Sequence, residues 1–309
     1  MTNIVSLNKQ VELNFGSILD EYQNYLATMD AANTTVKNHI GCLKNFLAFI
    51  DVDASEIKSM HVVNYRDYLQ GTLFLMASSV NTKLVIVKKF TTWLKGQGVL
   101  KEDVFESVKF IKTQKRGAAP KYLTEKEIWA MLNAVAKSRA TVRDRNAAIL
   151  QLIFNAGLRV SEVVGLNYSD IVINERSGQV LVRKGKGNKE RIVPLNTKVR
   201  LKLNTYLDYR FNKQGWIPKD RDPLFMSERK RRLSDRRLQS MVEEVAISAK
   251  IDRLRISPHV LRHTFAMRYM EANKDISQLA NLLGHESLDT TAIYLLPSEE
   301  QLQLGVEKI

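Results

Sequence analysis

Side chains that could act together on a phosphodiester occur in four segments of the chain's second half. The segments read Ala156-Gly-Leu-Arg-Val-Ser-Glu162, Lys184-Gly-Lys-Gly-Asn-Lys-Glu-Arg-Ile-Val-Pro194, Ser257-Pro-His-Val-Leu-Arg-His-Thr-Phe265 and Leu282-Leu-Gly-His-Glu-Ser287, the last followed by Thr290-Thr-Ala-Ile-Tyr294. Glu162 follows Arg159 at helical spacing, where its carboxylate can orient the guanidinium. His259 and Arg262 share a helix face three residues apart.

Taken together, these residue types suit phosphoryl transfer. Guanidinium groups stabilise the charge that develops on the non-bridging oxygens, and histidines of near-neutral pKa can exchange protons with the attacking and leaving oxygens. A tyrosine hydroxyl can attack and form a covalent phosphotyrosine, while a lysine on a flexible turn can protonate the leaving 5′-oxygen. The sequence shows no carboxylate cluster for Mg²⁺, so no metal and no cofactor are predicted.

Each segment alone also has an ordinary structural explanation. The pair Arg159 and Glu162 could be a surface ion pair, and the Gly-Lys-Gly turn could be a solvated hairpin. His259 and His263 are spaced like a metal-binding pair, but no Glu follows His259 and the single cysteine, Cys42, is too little for a zinc site. Tyr294 by itself could be a core aromatic. The single cysteine also excludes a disulfide framework.

The charge of the chain favours a polyanionic partner. Lysine and arginine number 47 against 33 acidic residues, a net charge of +14. Residues 1–116 hold 14 basic and 11 acidic side chains, whereas residues 117–309 hold 33 and 22. The run Glu228–Arg237 has six basic residues in ten, and its alternative interpretation is a solvated surface. We expect its Arg231 and Arg232 to lie along a nucleic-acid backbone.

The elements that position these residues form two predicted domains. The first, residues 1–112, contains no proline and shows apolar residues at helical spacing, which predicts four main helices and a short fifth near 101–107. A polar, basic stretch, residues 113–121, is the predicted linker. No apolar run could span a membrane, and no signal peptide precedes the first helix, so a cytoplasmic protein is expected.

The second domain, residues 122–309, is predicted to be α+β. Thr124 and Glu127 have the spacing of a capping box, a helix at about 142–156 is expected to end at Gly157, and the next begins near Arg159. Three β-rich runs between 171 and 193 predict a small antiparallel sheet. Further helices are expected at about 197–210, 233–250, 259–272, 275–283 and 287–294. Apolar spacing after Pro297 predicts a short C-terminal helix in the tail.

The four segments jointly resemble the tyrosine recombinases of the phage integrase family, closest to the Xer type, over about residues 125–294. The fold implied is mainly α, with an all-helical core-binding domain and an α+β catalytic domain. By the resemblance, Arg159 and Arg262 bind the scissile phosphate, Lys186 is the general acid and Tyr294 attacks. The resemblance further implies that His259 and His285 assist proton transfer and phosphate contact, that Glu162 occupies the family's supporting acidic position, and that His263 is structural. We also predict that Lys184 and Lys189 contact DNA.

The resemblance also implies a function and its partners. The protein would be a metal-independent site-specific recombinase that passes through a 3′-phosphotyrosine and a Holliday junction. It would bind double-stranded DNA with inverted-repeat core sites and act as a homotetramer on two sites, with or without a second recombinase or accessory proteins. Two alternatives stay open, namely a type IB topoisomerase-like enzyme that relaxes DNA, and a non-catalytic DNA-binding protein.

Overall fold

The chain divides into two compact units, Met1–Arg116 and Gly117–Ile309, in a computed structural model. The described residues are 2–29, 31, 33–113, 121–183, 190–252, 256–285, 287–295 and 307. Most of the predicted linker, the three lysines of the predicted turn at 184–189 and nearly all of the predicted C-terminal helix lie outside them. No helix in the described ranges is long and apolar enough to cross a membrane.

The first unit is built from the four helices that the sequence predicts. They are α1 (Thr2–Thr28), α2 (Asn33–Ile50), α3 (Ser59–Asp67) and α4 (Ala77–Gly96). The apolar residues at helical spacing form one core, in which Tyr22, Phe46 and Phe90 are fully buried. Tyr22 and Phe90 meet edge to face with ring centroids 5.1 Å apart, an arrangement that adds to the stabilisation from burial.

The predicted fifth helix near 101–107 is wrong. This segment consists of turns, in which the amide of Glu106 donates to the carbonyl of Asp103 and the Asp103 side chain accepts from the amide of Phe105. Val104, Phe105 and Val108 nevertheless lie in the core. A segment this short cannot stabilise a helix by itself, and the aspartate competes for the backbone donors that a helix would use.

The second unit surrounds helix α6 (Ala140–Ala156), which is buried on nearly every side from Ala148 to Phe154. Helices α5 (Glu125–Ala136), α8 (Thr197–Asp208) and α10 (Pro258–Asn273) pack against it. The remaining helices are α7 (Val160–Gly165), α9 (Asp235–Ser248), α11 (Ile276–Leu283) and the single turn α12 (Asp289–Ala292), which continues as a 3₁₀ turn over Ile293–Leu295. The predicted capping box at the start of α5 is present.

The predicted sheet is confirmed. Strands β1 (Ile171–Ile173), β2 (Gly178–Val182) and β3 (Arg191–Pro194) are antiparallel in the order β1-β2-β3, with Val180 opposite both Ile171 and Val193. Val180 and Val193 are buried, whereas their neighbours Gln179 and Ile192 are exposed. The alternation of a half-buried strand therefore fixes which face of β3 points into the unit.

Gly157 ends α6, as the sequence predicts, and allows the chain to turn directly into α7. Its φ is +64°, and a Cβ there would lie 2.3 Å from Cδ1 of Phe265. A side chain would be strained by the left-handed backbone and would also collide with α10. Arg159 follows Gly157 by two residues, and this turn places it near Arg262 of α10.

Candidate active site

A buried carboxylate, Glu162, is the centre of the candidate site. Arg159 is the N-cap residue of α7, and Glu162 at the third helical position accepts from the Arg159 backbone amide at 2.7 Å. The Arg159 side chain also donates, from Nη1 to Glu162 Oε1 at 2.8 Å. The Glu162 side chain is only 1% exposed, so the pair is not the surface ion pair that its spacing alone would allow.

Strand β3 supplies a second arginine to the same carboxylate. Arg191 Nη1 and Nη2 donate to the two oxygens of Glu162, each at 2.9 Å, and Arg191 Nε donates to the carbonyl of Leu282 at 2.8 Å. The two-pronged geometry is the strong form of an arginine–carboxylate pair. The sequence motif that contains Arg191 indicates no role for this residue. The alternation of β3, which points Arg191 to the same face as buried Val193, is the signal that could have found it.

Helix α10 supplies a third arginine, whose side chain is almost completely buried. Arg262 Nη1 donates to the carbonyl of Gly157 at 2.6 Å and Nη2 donates to the carbonyl of Leu283 at 2.7 Å. The same Nη1 lies 3.7 Å from Glu162 Oε2. Burial and, secondly, the positive charge of Arg159 lower the pKa of Arg262 to about 9. The guanidinium stays charged at neutral pH.

The pKa of Glu162 shows which influence dominates at this centre. Burial raises it, but the hydrogen bonds and charge of Arg191, the Arg159 amide and the charge of Arg262 together lower it to about 2. The carboxylate is therefore ionised at every physiological pH. Three arginines against one carboxylate leave two positive charges at the cluster, which suits an anionic group such as a phosphate.

His285 lies beside Arg262, at the end of α11. Its Nε2 is 3.2 Å from Arg262 Nη2, and its Nδ1 is 2.8 Å from Oγ1 of Thr291. Because a guanidinium only donates, Nε2 must accept and Nδ1 carries the proton. Burial and the charge of Arg262 lower the pKa of His285 to about 4, so this tautomer is neutral at pH 7.

Gly284, the residue before His285, lies close to the Arg191 side chain of β3. Its φ is +64°, and a Cβ there would lie 2.9 Å from Arg191 Nη1. Its carbonyl accepts from Arg159 Nη2 at 3.3 Å. The backbone at the end of α11 thus contacts all three arginines, through the carbonyls of Leu282, Leu283 and Gly284. The left-handed φ of Gly284 favours glycine at this position.

Tyr294 is buried beneath α10 rather than free in solvent. It is 5% exposed and packs against an apolar cluster that includes Phe265, Met267 and Leu279. Its hydroxyl oxygen lies 2.6 Å from Nδ1 of His263. Burial raises the pKa of Tyr294, although the charges of Arg262 and Arg159 act in the opposite direction. The hydroxyl is protonated at neutral pH.

The structure brings together most of the residues that the sequence singles out. Arg159, Glu162, Arg262 and His285 form one cluster through the contacts above, and Tyr294 lies within the electrostatic influence of its arginines. His259 lies exposed in the first turn of α10, which Pro258 begins as predicted. Lys184, Lys186 and Lys189 lie outside the described residues.

Arg231 and Arg232, the two arginines of the basic run that are predicted to lie along a nucleic-acid backbone, make different contacts. Arg231 is exposed, and its backbone closes a turn with Ser227. Arg232 is also exposed, but its Nη1 donates to the carbonyls of Val164 and Leu166 at 2.8 and 3.0 Å, and its Nη2 donates to Asn167 Oδ1 at 2.6 Å. Arg232 therefore ties its loop to the end of α7, whereas the Arg231 side chain faces solvent.

Comparison with known proteins identifies both units. The model of the phage integrase family matches residues 121–301, and that of the phage integrase N-terminal SAM-like domain matches residues 19–98. The chain is 33% identical over 264 residues to a tyrosine recombinase XerC of Thermodesulfovibrio yellowstonii, covering 84% of each protein. It is also 33% identical to the XerC of Myxococcus xanthus, covering 93% of this chain and 95% of the relative.

Solved structures show the same fold. A XerA recombinase superposes with a TM-score of 0.53 at 26% identity, covering 95% of this chain and 98% of that one. The XerH recombinase in a pre-cleavage complex with its difH substrate superposes with a TM-score of 0.70 at 22% identity, covering 90% and 80%. With a family model matching more than half of its length, the chain belongs to the phage integrase family of tyrosine recombinases.

Proposed function

We propose that the protein is a site-specific DNA recombinase. The observation that carries the proposal is the cluster of three arginines around Glu162, with the hydroxyl of Tyr294 lying under the influence of its charges. A scissile phosphate bound in this cluster would accept hydrogen bonds from Arg159 and Arg262, in place of some that these arginines now donate to the protein. Positive charge fixed in advance where a phosphorane develops negative charge stabilises the transition state without a metal.

The reaction we propose conserves the energy of the phosphodiester bond. Tyr294 Oη gives up its proton to a base and attacks the phosphorus, a 3′-phosphotyrosine forms, and the 5′-oxygen leaves with a proton from Lys186, the acid that the family resemblance implies. His259 contacts the phosphate from the start of α10. A 5′-hydroxyl from the second duplex then attacks the phosphotyrosine, and two rounds of exchange pass through a Holliday junction.

The test is to trap the covalent intermediate. The full chain is incubated with supercoiled plasmids that carry random inserts, the reaction is stopped with detergent, and plasmids bound covalently to protein are sequenced. We expect an adduct whose phosphotyrosine maps to Tyr294. The variant Tyr294→Phe should bind the enriched site and form no adduct, because the ring stays and only the nucleophilic oxygen is lost.

A matched control removes a different hydroxyl from the same unit. Tyr269→Phe deletes a hydroxyl that donates to Gln278 Oε1 at 2.8 Å on the exposed side of α10, and it should leave adduct formation intact. Relaxation of plasmids that lack the enriched site would favour the topoisomerase-like alternative. Specific binding without any adduct in the wild-type chain would favour a DNA-binding protein without catalysis.

We further propose that double-stranded DNA with inverted-repeat core sites is the partner and that four protomers act on two sites. The net charge of +14 supports a DNA partner. The support for the assembly is the sequence pattern of the tail, in which Leu302, Val306 and Ile309 fall on one helical stripe too short to be stable alone. In this proposal the tail docks on a neighbouring protomer. Deleting residues 299–309 should preserve single-site binding and impair cooperative assembly in gel-shift titrations. A fall in the thermal midpoint of the truncated monomer would instead place the tail on its own unit.

A further inference from the structure

The hydroxyl of Tyr294 has a specific partner that the sequence motifs do not assign. Its oxygen lies 2.6 Å from Nδ1 of His263, and the two ring centroids are 5.6 Å apart. His263 lies on α10 directly after Arg262, and Tyr294 lies on the 3₁₀ turn that follows α12. A histidine one residue from the phosphate-binding arginine therefore contacts the atom that attacks in the proposed reaction.

The protonation states at this contact favour donation from tyrosine to histidine. Burial, and then the charges of His259 and Arg262, lower the pKa of His263, so the imidazole is neutral at pH 7. Burial raises the pKa of Tyr294, so the phenol keeps its proton. The phenol O–H is the more acidic group and the imidazole nitrogen the more basic one, so Tyr294 donates and Nδ1 of His263 accepts.

The other two histidines of the motifs are less suited to this role. His285 has its Nε2 lone pair directed to Arg262 and its Nδ1 proton directed to Thr291. His259 is exposed at the first turn of α10. Among the described histidines, His263 is the one whose ring nitrogen lies within hydrogen-bond distance of the Tyr294 hydroxyl, in the arrangement of an activated nucleophile and its base.

We propose that His263 is the general base that takes the proton of Tyr294 during strand cleavage. This inference rests on the proposed function, in which Tyr294 is the nucleophile. As the bond from Oη to phosphorus forms, the O–H bond breaks and its proton passes to Nδ1, while the phosphorus–O5′ bond breaks and O5′ is protonated by the acid assigned to Lys186. In rejoining, protonated His263 returns the proton to the leaving tyrosine oxygen.

The charged groups around the pair support this direction of transfer. His259 and Arg262 face His263 from its own helix, and Arg262 and Arg159 at the start of α7 act on Tyr294. The arginines stabilise a tyrosine oxygen that gains negative charge. The positive charge near His263 keeps the imidazole unprotonated at neutral pH, although it also makes the imidazole a weaker base. His263 is therefore unprotonated and able to act as a base at neutral pH, and the proposed step uses no metal.

The experiment isolates proton removal from leaving-group protonation. The probe is a duplex carrying the cleavage site mapped by adduct trapping, with sulfur replacing the bridging 5′-oxygen at the scissile position. A thiolate leaves without a general acid, so the rate of adduct formation reports on the nucleophile. Rates are measured from pH 5 to 9 for the wild-type chain, for His263→Asn and for His259→Asn.

The expected profiles differ in shape as well as in size. The wild-type rate should rise with pH and then level off, with a midpoint below the ordinary histidine pKa of 6.5. His263→Asn, whose amide oxygen can still accept the hydroxyl hydrogen bond but cannot take the proton, should be about 100-fold slower at pH 7 and should rise tenfold per pH unit. His259→Asn should lower the plateau, because the proposed phosphate contact is lost. It should keep the acid limb, moved to higher pH because a positive charge near His263 is removed.

Several results would overturn the inference. A His263→Asn variant with the wild-type rate and profile removes His263 from proton transfer. If that variant does not fold, as judged by loss of its thermal transition, the pH–rate profile of the wild-type chain tests the inference by itself. A wild-type rate that rises tenfold per pH unit from pH 5 to 9 excludes a neutral imidazole as the base. If the wild-type chain forms no adduct on any plasmid, the proposed function fails first, a result distinct from an active chain that does not need His263.

Discussion

Replacing Glu162 with glutamine tests the electrostatic centre of the site most directly. Glu162→Gln keeps the size and shape of the side chain and removes its charge. Arg159 and Arg191 both donate to the carboxylate, and Arg262 lies 3.7 Å from it. The amide NH₂ would replace one accepting oxygen with a donor that faces guanidinium donors. Three positive charges would then remain together in a largely buried site without a counter-charge.

The size of the effect follows from the pKa of Glu162. A shift from an ordinary value of 4.5 to about 2 corresponds to about 3 kcal/mol of the free energy of unfolding at 1.36 kcal/mol per unit. This value agrees with the roughly 3–5 kcal/mol that is typical of breaking a buried ion pair. For a unit of this size the thermal midpoint should fall by roughly 10 °C.

The assay is thermal and urea unfolding of the full chain at pH 7, followed by circular dichroism. The matched control is Glu244→Gln, which removes a carboxylate that pairs with Arg237 at 2.5 Å but is 59% exposed. The free energy of unfolding of this control should change by less than about 0.5 kcal/mol. A loss below about 1 kcal/mol in Glu162→Gln would refute the argument that Glu162 neutralises the arginines.

The pH dependence gives an independent check on the same reasoning. The folded-state pKa of Glu162 is depressed, so its stabilisation is complete above pH 4.5 and is lost as the pH falls toward 2. The difference in unfolding free energy between the wild-type chain and Glu162→Gln should therefore shrink to about half at pH 3. A difference that stays constant from pH 7 to pH 3 would show that it arises from packing rather than charge.

Further outcomes can be checked separately. Gly157→Ala should lower the free energy of unfolding by about 2–4 kcal/mol through strain and collision, whereas Gly215→Ala, with a φ of +60° but no atom within 4 Å, should cost about 1 kcal/mol in urea titrations. Strand cleavage should persist in EDTA, and complete inhibition of cleavage would indicate a metal nuclease. Arg231→Ala should weaken binding equally on specific and random duplexes and flatten the salt dependence measured by fluorescence anisotropy, and an unchanged slope would remove Arg231 from the interface. The pKa of His285 is lowered to about 4 in the folded chain, so the unfolded chain takes up this proton at a higher pH than the folded chain does. The free energy of unfolding should therefore fall as the pH is lowered from 6.5 to 4. His285→Gln, which has no titrating group at this position, should lose less stability over the same range in urea titrations.

The sequence determines the helices and strands, and which residues belong to the site, through patterns that are local in the chain. Helical spacing of apolar residues predicts the first four helices, Gly157 predicts the end of α6, and alternation with glycine-containing turns predicts the sheet. These signals depend on residues close together in the chain, so they can be read without the fold. The segment near 101–107 misleads because buried apolar residues in turns imitate the spacing of a short helix.

The residue types of the motifs likewise indicate phosphoryl transfer by themselves, because the chemistry of a side chain does not depend on the fold around it. Their joint occurrence predicts Arg159, Glu162, Arg262 and His285 as one site, and the structure brings these four together. The sequence cannot rank the histidines, because a tautomer and a proton acceptor depend on which atoms lie within hydrogen-bond distance.

Only the tertiary structure decides the partners across the unit. Arg191 reaches Glu162 from a strand 29 residues further along the chain, and Tyr294 meets His263 over a separation of 31 residues. It also shows that Arg232 bonds to the backbone at the end of α7, and its contact with DNA stays a prediction. Such contacts, together with burial, set the pKa values and the charge balance of the site, because desolvation and Coulomb energy depend on distances in space rather than on spacing in sequence.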